Sequence, residues 1–281
     1  MVWPGLLHRI IGSMSNIMQL KITHTTEHTY DQPIRFGLQH LRMTPKSRDG
    51  QRVLDWSISI TGGQAEAEFE DQHNNHVTLV GFPMSAEQIT IVGAGTVEVE
   101  DRAGVVGMHG GFAPLWYFDR ITPLTKAGPE VRRLAREVGG TGELDCLHAL
   151  SAKISETVRY TIGETGVETT AEDALKAGVG VCQDHAHVFI SAARLMGRPA
   201  RYVSGYLLMD DRIEQQATHA WAEAYVDGIG WIGFDPSNGI SPDARYVRIA
   251  TGLDFKEAAP LSGVTYGDAD ETLSTALTVQ Q

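Results

Sequence analysis

The stretch "GVGVCQDHAHVFISAARLMG", residues 178–197, decides how this chain is read. A glycine-rich lead-in meets Cys182, and an apolar run begins at once. If a helix starts there, Cys182, Ala186, Phe189, Ile190, Ala193 and Met196 share one face, widened by Val188, Ala192 and Leu195. Little of such a helix is left to face water, so it is expected to be buried, with Gly197 and Pro199 as its stop. A thiol in the first turn feels unpaired backbone N–H groups and the positive end of the helix dipole, and both favour thiolate. Gly178 and Gly180 let the backbone turn sharply and approach a ligand. On this stretch alone, a small packed residue and a nucleophile fit equally well.

A second stretch shifts that balance. "ATHAWAEAYVDGIGWIGFDPSNG", residues 217–239, reads as two strands around a turn at Asp227–Gly230. His219 opens the first strand and Asp235 closes the second, so both lie at one end of the hairpin. Asp235 then accepts the imidazole N–H and turns the ring toward a thiol. Parity tests this. An even loop puts the two side chains on opposite faces, whereas an odd loop or a bulge puts them on the same face. An odd loop or a bulge is expected.

Composition narrows the class. The chain has 281 residues, 42% apolar and 21% charged, enough for two domains. A net charge of −12 argues against nucleic acid, which needs clustered Lys and Arg. Two cysteines, Cys146 and Cys182, make no disulfide framework and suit a reducing compartment. No apolar run reaches about 18 residues, so no membrane span is expected. Residues 1–17 read as a loose arm without the pattern of a signal peptide, or as an upstream start before Met18. The absence of an export signal there implies a cytoplasmic location.

From about Gln19 to Glu100 the period is two, with turn signals at 61–63 and 73–75. "VLDWSISI" places Leu54, Trp56, Ile58 and Ile60 on one face. Residues 101–129 are rich in Gly and Pro and read as a junction, with Phe112, Trp116, Tyr117 and Phe118 expected to pack between domains, or else to line a cleft. After Pro129 the period becomes 3.6. "PEVRRLAREVGG" has Pro near its start and Gly at its end. "ELDCLHALSAKISETVRY" stripes Leu147, Leu150, Ile154 and Val158, with Cys146 a small packed residue just off the stripe. "TTAEDALKAG" reads as a short helix capped by Thr170.

Taken together, "GVGVCQDHAH", "ARYVSGYL", "THAWAEAYV" and "GWIGFDPSNG" resemble the transglutaminase-like superfamily, in its bacterial two-domain branch of cysteine peptidases. The order Cys, His, Asp is that of the family. "LKITHTTEHTYDQPI" and "LRMTPK" look like its N-terminal β-domain. "ATGLDFKEAAPLSGVTYG" looks like its tail, and "TLSTALTVQ" like a last strand. The resemblance implies an α+β chain: an arm over 1–17, an N-terminal antiparallel β-sandwich over 18–105, a linker over 106–128 and a papain-like catalytic domain over 129–255. A tail over 256–281 carries a final strand that returns to the sandwich. It implies Cys182 as nucleophile, His219 as base and Asp235 as orienting group, acting on a peptide or protein without a cofactor. Tyr160 is a candidate oxyanion donor because the family places a tyrosine near its site. This branch often has an aromatic where His185 stands, so His185 makes the pocket wall more polar and is a candidate substrate contact. Asp184 complements the helix dipole or takes part in the site.

Three rivals remain. One is cross-linking, with an amine in place of water as acceptor. Another is an inactive binding scaffold. The third is a metal site of Cys182, His185, His187 and His219, but residues 185 and 187 lie about 200° apart on a helix and do not converge on one ion.

Overall fold

The computed structural model describes residues 17–210 and 212–281. The expected arm therefore lies, but for Ile17, outside the described residues, and Ile17 already opens the first strand. Six strands come first: β1 (Ile17–Tyr30), β2 (Phe36–Leu41), β3 (Gln51–Thr61), β4 (Gln64–Glu70), β5 (His76–Phe82) and β6 (Gln88–Glu100). The short β7 (Val105–Gly107) and a 3-10 helix at Leu115–Asp119 follow. Then come α1 (Pro129–Glu137), α2 (Glu143–Thr157), β8 (Arg159–Tyr160), α3 (Ala171–Ala177), β9 (Val179–Gly180) and α4 (Cys182–Leu195). The chain continues through β10 (Ala200–Leu207), β11 (Glu214–Gln215), β12 (His219–Val226), β13 (Gly230–Phe234), β14 (Tyr246–Gly252), α5 (Phe255–Ala258), β15 (Leu261–Tyr266) and β16 (Glu271–Gln280).

Three antiparallel sheets result, with strand orders β11-β16-β1-β6-β3, β15-β2-β5-β4 and β14-β10-β12-β13-β7. The inward face of β1 shows why the period-two pattern runs so long. Leu20, Ile22, His24, Thr26, His28 and Tyr30 are all buried. One end of that face, at Tyr30, packs with Val80, Phe82, Ile89 and Ile91 against the four-stranded sheet. The other end, at Leu20 and Ile22, packs with Tyr206, Val247 and Leu277 against the sheet of β10 and β14. His24 sits between these clusters, 3.1 Å from the Tyr206 hydroxyl, and burial lowers its pKa to about 4.

Leu54 departs from the expected face. The β3–β6 register shifts between Val53 and Asp55, and Leu54 is 40% exposed. A bulge adds one residue and flips side chains to the other face, so Val53 takes the inward place. The aromatic cluster also divides. Phe118 packs with Trp231 and Leu253, but Phe112 is 86% and Trp116 68% exposed. Trp116 and Phe118 are two residues apart on a three-residue turn, so one points out when the other points in.

Beside the central sheet, α1 to α4 pack over the alanine side of β12. Ala220, Ala222 and Ala224 meet Ala186, Phe189 and Ala193 of α4, with the α2 stripe Leu147, Leu150 and Ile154 beyond. Every residue from Asp184 to Arg194 is buried.

The edge strand β14 is closed by two amides from the N-terminal sheets. Gln51 exchanges two hydrogen bonds of 2.9 Å with the Arg248 backbone, and Asn75 exchanges two of 2.8 Å with that of Thr251. Positions three apart face opposite edges in a regular strand. Ile249 is an extra residue at the register shift beside Ser204 and Gly205, and it turns both backbone positions to the same open edge. Asn75→Ala should lower the unfolding free energy by about 2 kcal/mol, the usual cost of unpaired buried groups, as read by urea denaturation.

Candidate active site

Local capping fixes the start of α4. Gly178, at φ +65°, ends α3 in the left-handed conformation. A Cβ on Gly180 would stand 2.7 Å from that of Asp184. The Asp184 carboxylate can then accept the Val181 N–H at 2.8 Å and the Thr165 hydroxyl at 2.7 Å. The glycines thus serve a helix end and a buried cap, which is the sharp turn expected of them. Cys182 becomes the first residue of α4, where its N–H has no intrahelical acceptor.

The hairpin loop has three residues, Asp227, Gly228 and Ile229, because Val226 pairs with Gly230. That is the odd number a shared face requires. His219 Nε2 lies 2.7 Å from Asp235 Oδ2. Asp235 has no exposed surface, and its carboxylate is fully engaged. Oδ2 also accepts Asn238 Nδ2 at 2.7 Å and the Tyr246 hydroxyl at 2.8 Å, while Oδ1 accepts the N–H groups of Ser237 and Asn238. Burial works against its charge, but these bonds, led by His219, hold the carboxyl below its usual pKa.

Burial also opposes a charge on His219. The charge and hydrogen bond of Cys182, together with Asp235, outweigh it and raise the imidazole to about 10. Asp235 occupies Nε2, which leaves Nδ1 to face the thiol. Trp221 lies nearly parallel to the ring, 6.3 Å between centroids, and Tyr246 meets it edge-on. The structure therefore brings together Cys182, His219 and Asp235 from α4, β12 and the end of β13.

Tyr160 stands at the wall of an open cavity of about 730 Å³ that also includes Ile162, Met209, His219 and Asn238. Burial, then the charges of Cys182 and Asp235, raise its pKa to about 12, so it is a hydroxyl donor at neutral pH. His185 is not the substrate contact expected. It is buried, with Nδ1 2.9 Å from the Ser237 hydroxyl and Nε2 2.9 Å from the Val158 carbonyl, and it holds the Asp235 turn from behind. Asp184 is a helix cap. His187 accepts the Phe255 N–H at 3.1 Å on the far side of α4, and burial lowers its pKa to about 3. Among the described residues, no group of three His, Cys, Asp or Glu side chains could hold a metal ion. Asn238 and Tyr246 escaped the sequence reading. Asn238 follows Asp235 in a turn and could have been flagged as an Asx partner, but nothing local marks Tyr246.

A model described as the transglutaminase-like superfamily matches residues 132–236, and one described as the bacterial transglutaminase-like N-terminal region matches residues 20–98. The chain belongs to the transglutaminase-like superfamily. Its superfamily core spans Cys182, His219 and Asp235. The chain is 26% identical over 263 residues to the uncharacterized protein ML0607 of Mycobacterium leprae, covering 89% of this chain and 94% of that one. It is 27% identical over 293 aligned positions to the uncharacterized protein Rv2569c of Mycobacterium tuberculosis, covering 92% and 91%. A solved structure described as "a Putative Cysteine Protease from Cytophaga hutchinsonii" superposes with a TM-score of 0.74, at 23% identity, over 95% of this chain and 99% of that one. At that identity the likeness is one of fold. No helix among the described residues is long and apolar enough to cross a membrane.

Tyr246→Phe removes one donor from a buried carboxylate. It should cost about 1.5–3 kcal/mol of stability, the range for a hydrogen bond to a charged group, measured by chemical denaturation.

Proposed function

We propose that the protein is a thiol-dependent amide-bond hydrolase, a transglutaminase-like cysteine peptidase acting on a peptide or protein. The observation that carries this is the position of His219, which hydrogen-bonds Asp235 and lies close enough to Cys182 for both partners to raise its pKa. The Cys182 thiolate attacks the amide carbonyl while His219 holds a proton. The oxyanion that forms takes the Cys182 backbone N–H and the Tyr160 hydroxyl as donors. His219 then protonates the departing amine, and the acyl group stays on Cys182 as a thioester. Water, losing a proton to His219, attacks the thioester and releases the carboxylic acid and the free thiol. An amine in place of water gives cross-linking instead. Asp235 keeps the ring in one tautomer and orientation throughout. Both cysteines are free, as a reducing cytoplasm would keep them.

Mass spectrometry after incubation with a peptide library tests the reaction. Cleavage or deamidation that Cys182→Ser lowers by roughly 10³-fold or more supports hydrolysis. Cross-linked products point to the amine acceptor, and equal turnover by wild type and Cys182→Ser overturns the mechanism.

The pH profile follows from His219. Its pKa is raised, so its contribution to stability is complete below the ordinary value of 6.5 and is lost as pH rises through about 10. Amide turnover should fall over the same upper limb, because the leaving amine then finds no proton. Alkylation of Cys182 by iodoacetamide needs no acid and should persist there. A parallel fall of both rates would contradict the assignment of His219 as acid.

A further inference from the structure

A cluster of guanidinium groups lies at the junction of the N-terminal sheets and the central sheet. It centres on Glu223, four residues along β12 from His219 and so about 13 Å from it. Glu223 is 1% exposed, and its Oε2 receives Arg201 Nε at 2.7 Å and Arg248 Nη2 at 3.1 Å. The Arg201 guanidinium is stacked 3.9 Å over Trp231. Arg48, from the segment leading into β3, is close enough for Glu223 and Arg201 both to act on its charge. It has no side-chain hydrogen bond or ion pair among the described residues. Asp49 acts on it too, but is 82% exposed and lies 3.8 Å from Arg102. Glu223 thus pairs directly with two guanidinium groups, and Arg48 lines a pocket with it and Arg248 without a side-chain partner of its own among the described residues.

A second observation points to a ligand. Arg248 is 8% exposed, yet its Nη1 is buried without a partner. It borders a cavity of about 150 Å³ shared with Lys46, Arg48, Asn75, Arg201 and Thr251. Lys46 is already paired with Glu70 at 2.5 Å. An unpaired buried donor and uncompensated positive charge are both costly, and an oxyanion with several acceptor atoms relieves both. Arg48 is exposed at the rim, which leaves a way in.

We propose that this interdomain cavity binds a small free oxyanion of the phosphate class, held by Arg48 and Arg248. The anion supplies acceptors to Arg248 Nη1 and to the Arg48 fork. It thereby ties the segment before β3 to the edge strand β14, beside the Gln51 and Asn75 clamps. The site is separate from Cys182 and takes no part in the acyl transfer.

Isothermal titration of the full chain with inorganic phosphate, at ionic strength matched with potassium chloride, tests this. Saturable one-site binding is expected, with a melting temperature that rises with phosphate as ligand linkage requires. Arg48→Gln removes an uncompensated charge, so it should not lower the melting temperature in chloride, and it should weaken phosphate binding by about tenfold or more, the loss of a charge-assisted bond. Arg248→Gln should abolish binding. Absence of saturable heat in the wild type, or equal affinity in wild type and Arg48→Gln, would overturn the proposal. So would a melting shift that chloride reproduces.

Discussion

A carboxylate with no exposed surface is the constraint around which this site is built. Asp235 would be strongly disfavoured as an ion in the interior unless its oxygens were filled with donors. Five hydrogen bonds do so: one from His219, two from Asn238, one from Ser237 and one from Tyr246. These donors come from β12, the turn after β13 and β14, so satisfying one charge fixes three segments relative to each other. His219 carries that order onward to Cys182. Loss of any one donor leaves part of a buried charge uncompensated, which is why the network is more rigid than its members would be in water.

The strand that carries His219 has two faces with different duties. Its alanines are small enough to let α4 lie close on the sheet, and α4 is buried as a consequence. The residues between them turn to the other face, where Trp221 backs the imidazole and Glu223 gathers Arg201 and Arg248. One period-two pattern therefore positions the helix bearing the thiol, the imidazole and the arginine cluster. Gly205 belongs to the same arrangement, since a Cβ there would stand 2.5 Å from the Trp221 ring.

What could be read from the sequence was what depends on local periodicity. The start of α4, its burial, the α2 stripe and the Thr170 cap follow from helical spacing and capping chemistry. The shared face of His219 and Asp235 follows from the parity of a three-residue loop. The failures have physical causes of their own. Leu54 leaves its face because a bulge breaks the count, and a bulge has no local signature there. His185 was expected beside the substrate, but the Val158 carbonyl and the Ser237 hydroxyl, both distant in sequence, claim its nitrogens. Tyr246 lies 11 residues beyond Asp235 and meets it only because β14 pairs with β10, which pairs with β12. Contacts of that kind belong to the assembled sheet.

The same strand joins the site to the rest of the chain. β14 is an edge strand, and its position is set on one side by β10 and on the other by Gln51 and Asn75. Tyr246 opens β14, two residues before the first of these clamps, and its hydroxyl ends on Asp235. Leu20 and Ile22 of β1 pack against Val247 within the same cluster. β1 and β6 in turn continue past that contact to form the core with the four-stranded sheet. The N-terminal sheets therefore do more than stand beside the transglutaminase-like core. They close its open edge, fix the strand that supplies a donor to Asp235, and so help to set the angle at which His219 meets Cys182.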